Sequence, residues 1–236
     1  MTMDIERTNT LTLLLLEKAT SYQSWIFEEV KPFIRGDILE VGCGSGNLTG
    51  WLLQQGMVLA VDLNEDYLRI VQERYGYHPN LIGTLIWDSR ENPREEINRT
   101  FNTLICSNVL EHVEDDDLVL RHFYELLPDG GRLILLAPAL KVLYNHLDIE
   151  LGHFRRYGRK ELIQKVTRSG FKIYHLKYFN LFGMLGWFLN GTLLRRRILP
   201  QNQVKVFNKM VPLFISLEKI IPNWVGQSLI VVGEKR

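Results

Sequence analysis

Ile38-Leu39-Glu40-Val41-Gly42-Cys43-Gly44-Ser45-Gly46-Asn47 is a short apolar run that enters a glycine-rich turn and then a stretch of helical spacing. Read as a buried strand, a tight turn and a helix, it builds a ligand crevice at the strand's carboxyl end. The glycines remove side chains that would keep a ligand off the backbone, permit positive φ, and leave helix N-terminal amides facing the opening. The spacing is G-x-G-x-G, with Asn47 after Gly46, whereas nicotinamide and flavin folds prefer G-x-G-x-x-G.

Outward from this turn, short apolar runs alternate with longer helical segments, the pattern of a parallel sheet covered on both faces. The predicted strands are Asp37–Val41, Met57–Asp62, Leu81–Ile86, Phe101–Ser107, Gly131–Ala137, Phe171–Leu176 and Ser228–Gly233. Upstream, Glu17 to Val30 reads as a helix stopped by Pro32. The expected fold is α/β: a doubly wound, seven-stranded, mostly parallel sheet with an N-terminal helix and an apolar helical insertion before the last strand. One domain is expected over 1–236, with capping helices at 1–36, the core sheet at 37–178 and 225–236, and a helical cap at 179–224.

Bulk properties narrow the function classes. The 236 residues fit one sizeable core, and 46% hydrophobic residues with a net charge of +1 give no electrostatic preference for polyanions, so no nucleic-acid partner is expected. Cys43 and Cys106 lie in apolar segments without disulfide or zinc spacing and suit a reducing, cytoplasmic setting. Leu11 to Leu16 is too short to span a bilayer and has no small-residue cleavage site before Glu17 and Lys18; it reads as an amphipathic helix rather than a signal peptide.

A second carboxylate fits the same crevice. Asp62 ends the second predicted strand about twenty positions after the glycines, where it can accept hydrogen bonds from both ribose hydroxyls. Together, Glu40 to Asn47, Asp62, Asp88 after the third strand, Ser107-Asn108-Val109-Leu110-Glu111-His112-Val113 and Leu127-Pro128-Asp129-Gly130-Gly131-Arg132-Leu133 resemble the class I S-adenosylmethionine-dependent methyltransferases, over roughly Tyr22 to Pro138. Within that superfamily the chain is similar to the small-molecule (type 11/12-like) branch with a Rossmann-like fold. The resemblance implies S-adenosyl-L-methionine as cofactor. Gly42, Gly44 and Gly46 would line its methionine moiety, Asp62 the ribose, Asp88 the adenine amino group, and Ser107 and Asn108 the amino-acid end. Leu63 would cover one face of the adenine, and Tyr22, Glu40 and Cys43 complete the expected cofactor shell. The plainer alternatives are turn glycines, a solvated strand end at Asp62, a turn start at Asp88-Ser89, and cysteines that are small buried apolar groups rather than nucleophiles.

A sulfonium methyl is already activated, so alignment and desolvation carry much of its transfer, and a base helps only when the acceptor must lose a proton. His112, after the fourth strand, is a candidate base or positioning group. The segment from Asp148 through Gly152-His153-Phe154-Arg155-Arg156-Tyr157 resembles the D-x-x-x-G-H-x-R-R-Y segment of bacterial methyltransferases of cell-envelope or glycan biosynthesis. That likeness implies a small-molecule acceptor, with glycan- and lipid-linked compounds among the candidates. His153 and Arg156 are taken as acceptor-side residues, the alternative being that Asp148 pairs with an arginine to fix a lid. Glu114 to Asp117 is read as an acidic helix start, and no metal is expected. Ser107-Asn108-Val109-Leu110 departs from the D/N-P-P-Y/F of nucleobase-amino methyltransferases. The rival functions are a noncatalytic S-adenosylmethionine-binding protein and a nicotinamide oxidoreductase.

The insertion carries Phe182, Trp187 and Phe188 and ends in Arg195-Arg196-Arg197. Packing against the sheet, with Val211 to Trp224 as partner, is the preferred reading. Peripheral contact with the inner face of a membrane is the alternative.

Overall fold

The computed structural model describes residues 2–91, 97, 99–221 and 224–236, with the side chains of 2–4 excepted. Seven strands form one sheet in the order β3-β2-β1-β4-β5-β7-β6. They are β1 (Ile38–Val41), β2 (Val58–Asp62), β3 (Leu81–Ile86), β4 (Thr103–Ser107), β5 (Arg132–Pro138), β6 (Lys172–Phe179) and β7 (Ser228–Glu234). β1 to β5 are mutually parallel, and β7 runs antiparallel between β5 and β6. The fold expected from the sequence is the fold observed, with strand ends shifted by a few residues.

Register places the site. Val41 pairs with Val61 on one side and Cys106 on the other, so β1, β2 and β4 end level with one another. Strand order reverses beside β1, and the crevice at that switch point opens between the glycine turn, Asp62 and Ser107. Side chains of β1 alternate between two apolar layers. Leu39 and Val41 join Val119, Leu120, Phe123, Leu162 and Val166 of α5 (Asp116–Leu126) and α7 (Arg159–Arg168). Ile38 joins Trp25, Phe27 and Val30 of α2 (Thr20–Val30), with Leu52 of the short α3 (Thr49–Leu52). Leu68 and Val71 of α4 (Glu65–Tyr75) cover the β2 side, and the Asn64 side chain caps that helix by accepting from Asp66 and Tyr67 amides.

The N-terminal region differs from the single helix expected over Glu17 to Val30. α1 (Thr2–Glu17) ends, and α2 begins after a turn at Ala19. The Leu16 carbonyl, left over at the end of α1, accepts from the Ala19 amide (2.9 Å) and the Gln23 side chain (2.6 Å), while buried Ala19 fits the elbow. Beyond β5, Asn145 and Asp148 form a reciprocal capping box that starts α6 (His146–Glu150). The insertion forms α8 (Leu181–Trp187), a π-helical turn over Phe188–Leu193, and α9 (Gln201–Glu218). No helix among the described residues is long and apolar enough to cross a membrane.

Candidate functional site

The glycine turn is held in a shape that a side chain would break. Gly42 has φ +75° and Gly44 φ +52°, and a Cβ on Gly42 would lie 2.0 Å from Val109 Cγ2, which presses on the turn from the end of β4. The Gly44 amide donates to Asp62 Oδ2 (2.8 Å) and the Asn64 amide to Oδ1 (3.0 Å). Each carboxylate oxygen therefore keeps a lone pair for a further donor. Burial pushes the Asp62 carboxyl up, and the amide bonds from Asn64 and Gly44 pull it back. Leu63 beside it is 60% exposed. Across the opening, Asn108 stands exposed in a left-handed conformation (φ +53°), with its amide bonded to Leu136 O and its side chain donating to Ser107 Oγ.

A backbone-lined turn, a half-buried carboxylate with unused lone pairs, an exposed leucine and a polar strand end fit the donors, hydroxyls and flat base of S-adenosylmethionine. Gly42, Gly44, Gly46, Asp62, Leu63, Ser107 and Asn108 come together as this set. Glu40 and Cys43 lie behind it. Glu40 is buried and accepts from Thr49 Oγ1 (2.6 Å), burial raising its pKa to about 8, and Cys43 is a buried thiol raised by the same cause. Asp88 caps a local turn through the Arg90 amide and is bonded by the Arg90 guanidinium, which lowers its pKa. Tyr22 is engaged elsewhere: its ring packs on Phe179 and Phe207, and its amide donates to the Asn208 side chain.

Sequence reading missed how α1 lies over this crevice. Leu13 abuts Gly44, Asn47 Nδ2 donates to Leu13 O (3.4 Å), Thr10 shares a hydrogen bond with Tyr67 Oη (2.8 Å), and Ile5 reaches Gly152. The periodicity of α1 indicated a helix, but nothing local to it indicates its docking site.

The acceptor-side candidates fall into two clusters. Asp148, fully buried, accepts from Arg156 Nε (2.8 Å), the Asn145 amide (3.0 Å) and Trp187 Nε1 (3.1 Å), and pairs with His153 Nδ1 (2.9 Å). Burial alone would raise its carboxyl, but His153 and Arg156 outweigh it and hold the pKa below the usual range. Arg156 also donates to Ala139 O (3.0 Å) and lies 4.7 Å from the Trp187 ring. Arg156, expected on the acceptor side, is instead buried among these partners, the Asp148–arginine pairing that was the alternative reading. Its neighbours are engaged in the same way. Arg155 pairs with Asp116 (3.0 Å), and the buried Tyr157 hydroxyl donates to Asp116 (2.8 Å).

His153 meets the segment that follows β4. Its ring meets His112 edge to face at 4.7 Å, and its Nε2 lies 4.0 Å from Glu111 Oε1. Burial and the neighbouring His153 lower the His112 pKa to about 4. Glu111, quoted in the sequence motif but given no role there, is fully buried, and burial raises its pKa to about 7.

The family model described as "Methyltransferase domain" matches residues 39–133. The chain is 29% identical over 132 residues to the mitochondrial "Ubiquinone biosynthesis O-methyltransferase" of Schizosaccharomyces pombe, covering 56% of this chain and 48% of that protein. It is 26% identical over 149 residues to "Nodulation protein S" of Azorhizobium caulinodans, covering 61% and 66%. The chain thus spans about half the length of the first curated relatives it matches. A solved S-adenosylmethionine-dependent methyltransferase from Mesorhizobium loti superposes with a TM-score of 0.61 at 15% identity, over 89% of this chain and 97% of that one, a likeness of fold.

Proposed function

We infer that the chain is a class I S-adenosylmethionine-dependent methyltransferase, and on that premise propose that it methylates a hydroxyl of a small, lipid- or glycan-linked acceptor. The observation that carries the reading is the pairing of the Gly44 amide with Asp62 at the strand-order switch point, which builds the cofactor cradle. When bound, S-adenosylmethionine supplies a methyl on a positively charged sulfur: the oxygen–carbon bond forms, the carbon–sulfur bond breaks, and its electron pair stays on a neutral thioether. The protein's work is to bind, align and deprotonate.

Asp62 would accept from the ribose hydroxyls, and Gly42 to Gly46 would offer backbone to the methionine end. Ser107 and Asn108 would bond its polar groups, while α1 excludes water from above the turn. Removing the proton of a hydroxyl acceptor falls to the cluster of Glu111, His112 and His153. Tyr144 Oη donates to His153 O (2.8 Å) and, with the Asp148 pairing, fixes that imidazole.

The lipid-linked part of the proposal rests on the cap. Phe182 stacks on Phe214 at 4.4 Å and Trp187 bonds Asp148, so these two aromatics are packed, as the preferred sequence reading has them. Leu185, Phe188 and Leu189, at helical spacing, are exposed instead, as are Leu193 and Leu194, with exposed Arg195 and Arg197 next in the chain. Apolar side chains beside cations suit the inner face of an anionic membrane, where a lipid-linked acceptor would be met. The hydroxyl assignment draws on the O-methyltransferase named among the relatives.

Labelled-methyl transfer into extracts tests the proposal. Label from S-adenosylmethionine should enter an alkali-stable, solvent-extractable small molecule. Label only in water-soluble products would sink the lipid-linked acceptor, and no transfer by folded, cofactor-binding protein would leave a noncatalytic binder.

A further inference from the structure

Glu111 presents an unusual problem for a folded chain. It is 0% exposed, and neither carboxylate oxygen has a hydrogen-bond partner. Buried carboxylates are normally paired, hydrogen-bonded or metal-bound, because removal from water is costly for an unpaired charge. Oxygen and nitrogen atoms of Glu111, His112 and His153 all lie within 4.8 Å of one another. We propose that Glu111, His112 and His153 form a binding site for one divalent transition-metal cation at the end of β4.

Three features of the site fit a cation. Two imidazoles and one carboxylate are the donor set that borderline cations such as Zn²⁺ accept, and three protein ligands leave a position free for an exogenous oxygen. Metal–ligand bonds of about 2.1 Å place tetrahedral ligands roughly 3.4 Å apart, a contraction that small side-chain rotations can supply from the observed 4.0 Å between His153 and Glu111. Finally, His153 Nδ1 is bonded to Asp148, the carboxylate–histidine arrangement that fixes a ligating imidazole with Nε2 toward the metal. Asp148 is itself fixed by Arg156, Trp187 and the Asn145 amide, so the buried brace serves the orientation of His153. The acidic start of α5 takes no part, since Asp116 and Asp117 are bonded by Lys165.

The inference rests on the methyl-transfer reading and specifies its acceptor side. With the cation held, Glu111, His112 and His153 would act on the proton through it rather than as direct bases: a hydroxyl that takes the free position would release its proton to solvent near neutral pH, leaving an oxygen nucleophile for the methyl. Loss of negative charge on methylation would weaken the product's hold on the cation and favour its release.

The test uses chelator-stripped full-length protein titrated with Zn²⁺ by calorimetry and with Co²⁺ by visible absorption, with S-adenosylhomocysteine binding measured separately. One equivalent of Zn²⁺ should bind, Co²⁺ should give the ligand-field bands of a low-coordinate nitrogen–oxygen site, and Glu111→Gln or His153→Gln should weaken Zn²⁺ at least tenfold. Asp148→Asn should weaken it roughly tenfold to a hundredfold through the imidazole. His153→Gln should leave S-adenosylhomocysteine affinity unchanged, which shows that the variant is folded. Absence of stoichiometric Zn²⁺ binding, or unchanged Zn²⁺ affinity in a folded His153→Gln or Glu111→Gln variant, would overturn the cation site while leaving methyl transfer standing. Zn²⁺ binding with no affinity for S-adenosylhomocysteine would instead break the reading on which it rests.

Discussion

Arg156→Ala separates a brace from an acceptor-binding residue. In the native fold the Asp148 carboxylate is fully buried and balanced by His153 and by Arg156, whose Nε lies 2.8 Å away. Truncation leaves that carboxylate without its guanidinium partner and opens a cavity under Trp187, whose ring the guanidinium faces at 4.7 Å. Breaking a buried ion pair by removing one partner costs about 3–5 kcal/mol. For a chain of this length each kcal/mol shifts the melting temperature by roughly 2–4 °C, so a fall on the order of 10 °C is expected. His153 can donate to Asp148 and soften the loss, which favours the lower end. Denaturant unfolding of the wild type and Arg156→Ala, followed by far-UV circular dichroism, measures the difference. A variant within about 1 kcal/mol of wild type that had nonetheless lost turnover would refute the brace and return Arg156 to the acceptor, since a typical surface change costs no more than that.

Three further outcomes follow from the structure. Asp62→Ala should weaken S-adenosylhomocysteine binding roughly tenfold to a hundredfold, because hydrogen bonds to a charged acceptor contribute about 1.5–3 kcal/mol; calorimetry showing unchanged affinity in the folded variant would remove the ribose assignment. Raising the Glu40 pKa from 4.5 to about 8 means that the folded state keeps a proton the unfolded state has released, so this component of stability is full below about pH 4.5 and lost as pH rises through about 8. Glu40→Gln, which keeps an acceptor for Thr49, should therefore gain stability relative to wild type above neutral pH and little at pH 4; equal gains at both ends would show that Glu40 is ionised throughout. Vesicles with anionic headgroups should retain the wild type in co-sedimentation, less so in high salt, and Phe188→Asp with Leu189→Asp should lose binding while remaining folded; salt-independent or absent sedimentation of the wild type would take the cap off the membrane.

Strand runs and the glycine turn were legible because their signals are local: β1 is apolar at every position except Glu40, and three alternate glycines favour a turn. Asp62 could be placed because a parallel register carries the end of β2 to the end of β1. The roles of Arg155, Arg156 and Tyr157 were not legible, since a cationic run has the same appearance whether its partners are an acceptor or Asp116 and Asp148, which lie about forty and eight residues away. Glu111 was hidden for a related reason. Its neighbour His112 is adjacent in sequence, but His153 arrives only when the chain after β5 folds back against the end of β4. The cap was half legible: stacking of Phe182 on Phe214 follows the preferred packing of two apolar stretches, whereas the outward face of Leu185, Phe188 and Leu189 depends on how α8 is rotated by Asn180, whose side chain caps it at the Gly183 amide.

The central claim is that the turn from Gly42 to Gly46 and Asp62 bind S-adenosylmethionine for methyl transfer, and calorimetric titration of the purified chain with S-adenosylhomocysteine tests it most directly. The account predicts saturable one-to-one binding that Asp62→Ala weakens by the factor given above. A folded chain that binds no S-adenosylhomocysteine, or binds it equally well without the Asp62 carboxylate, would contradict it.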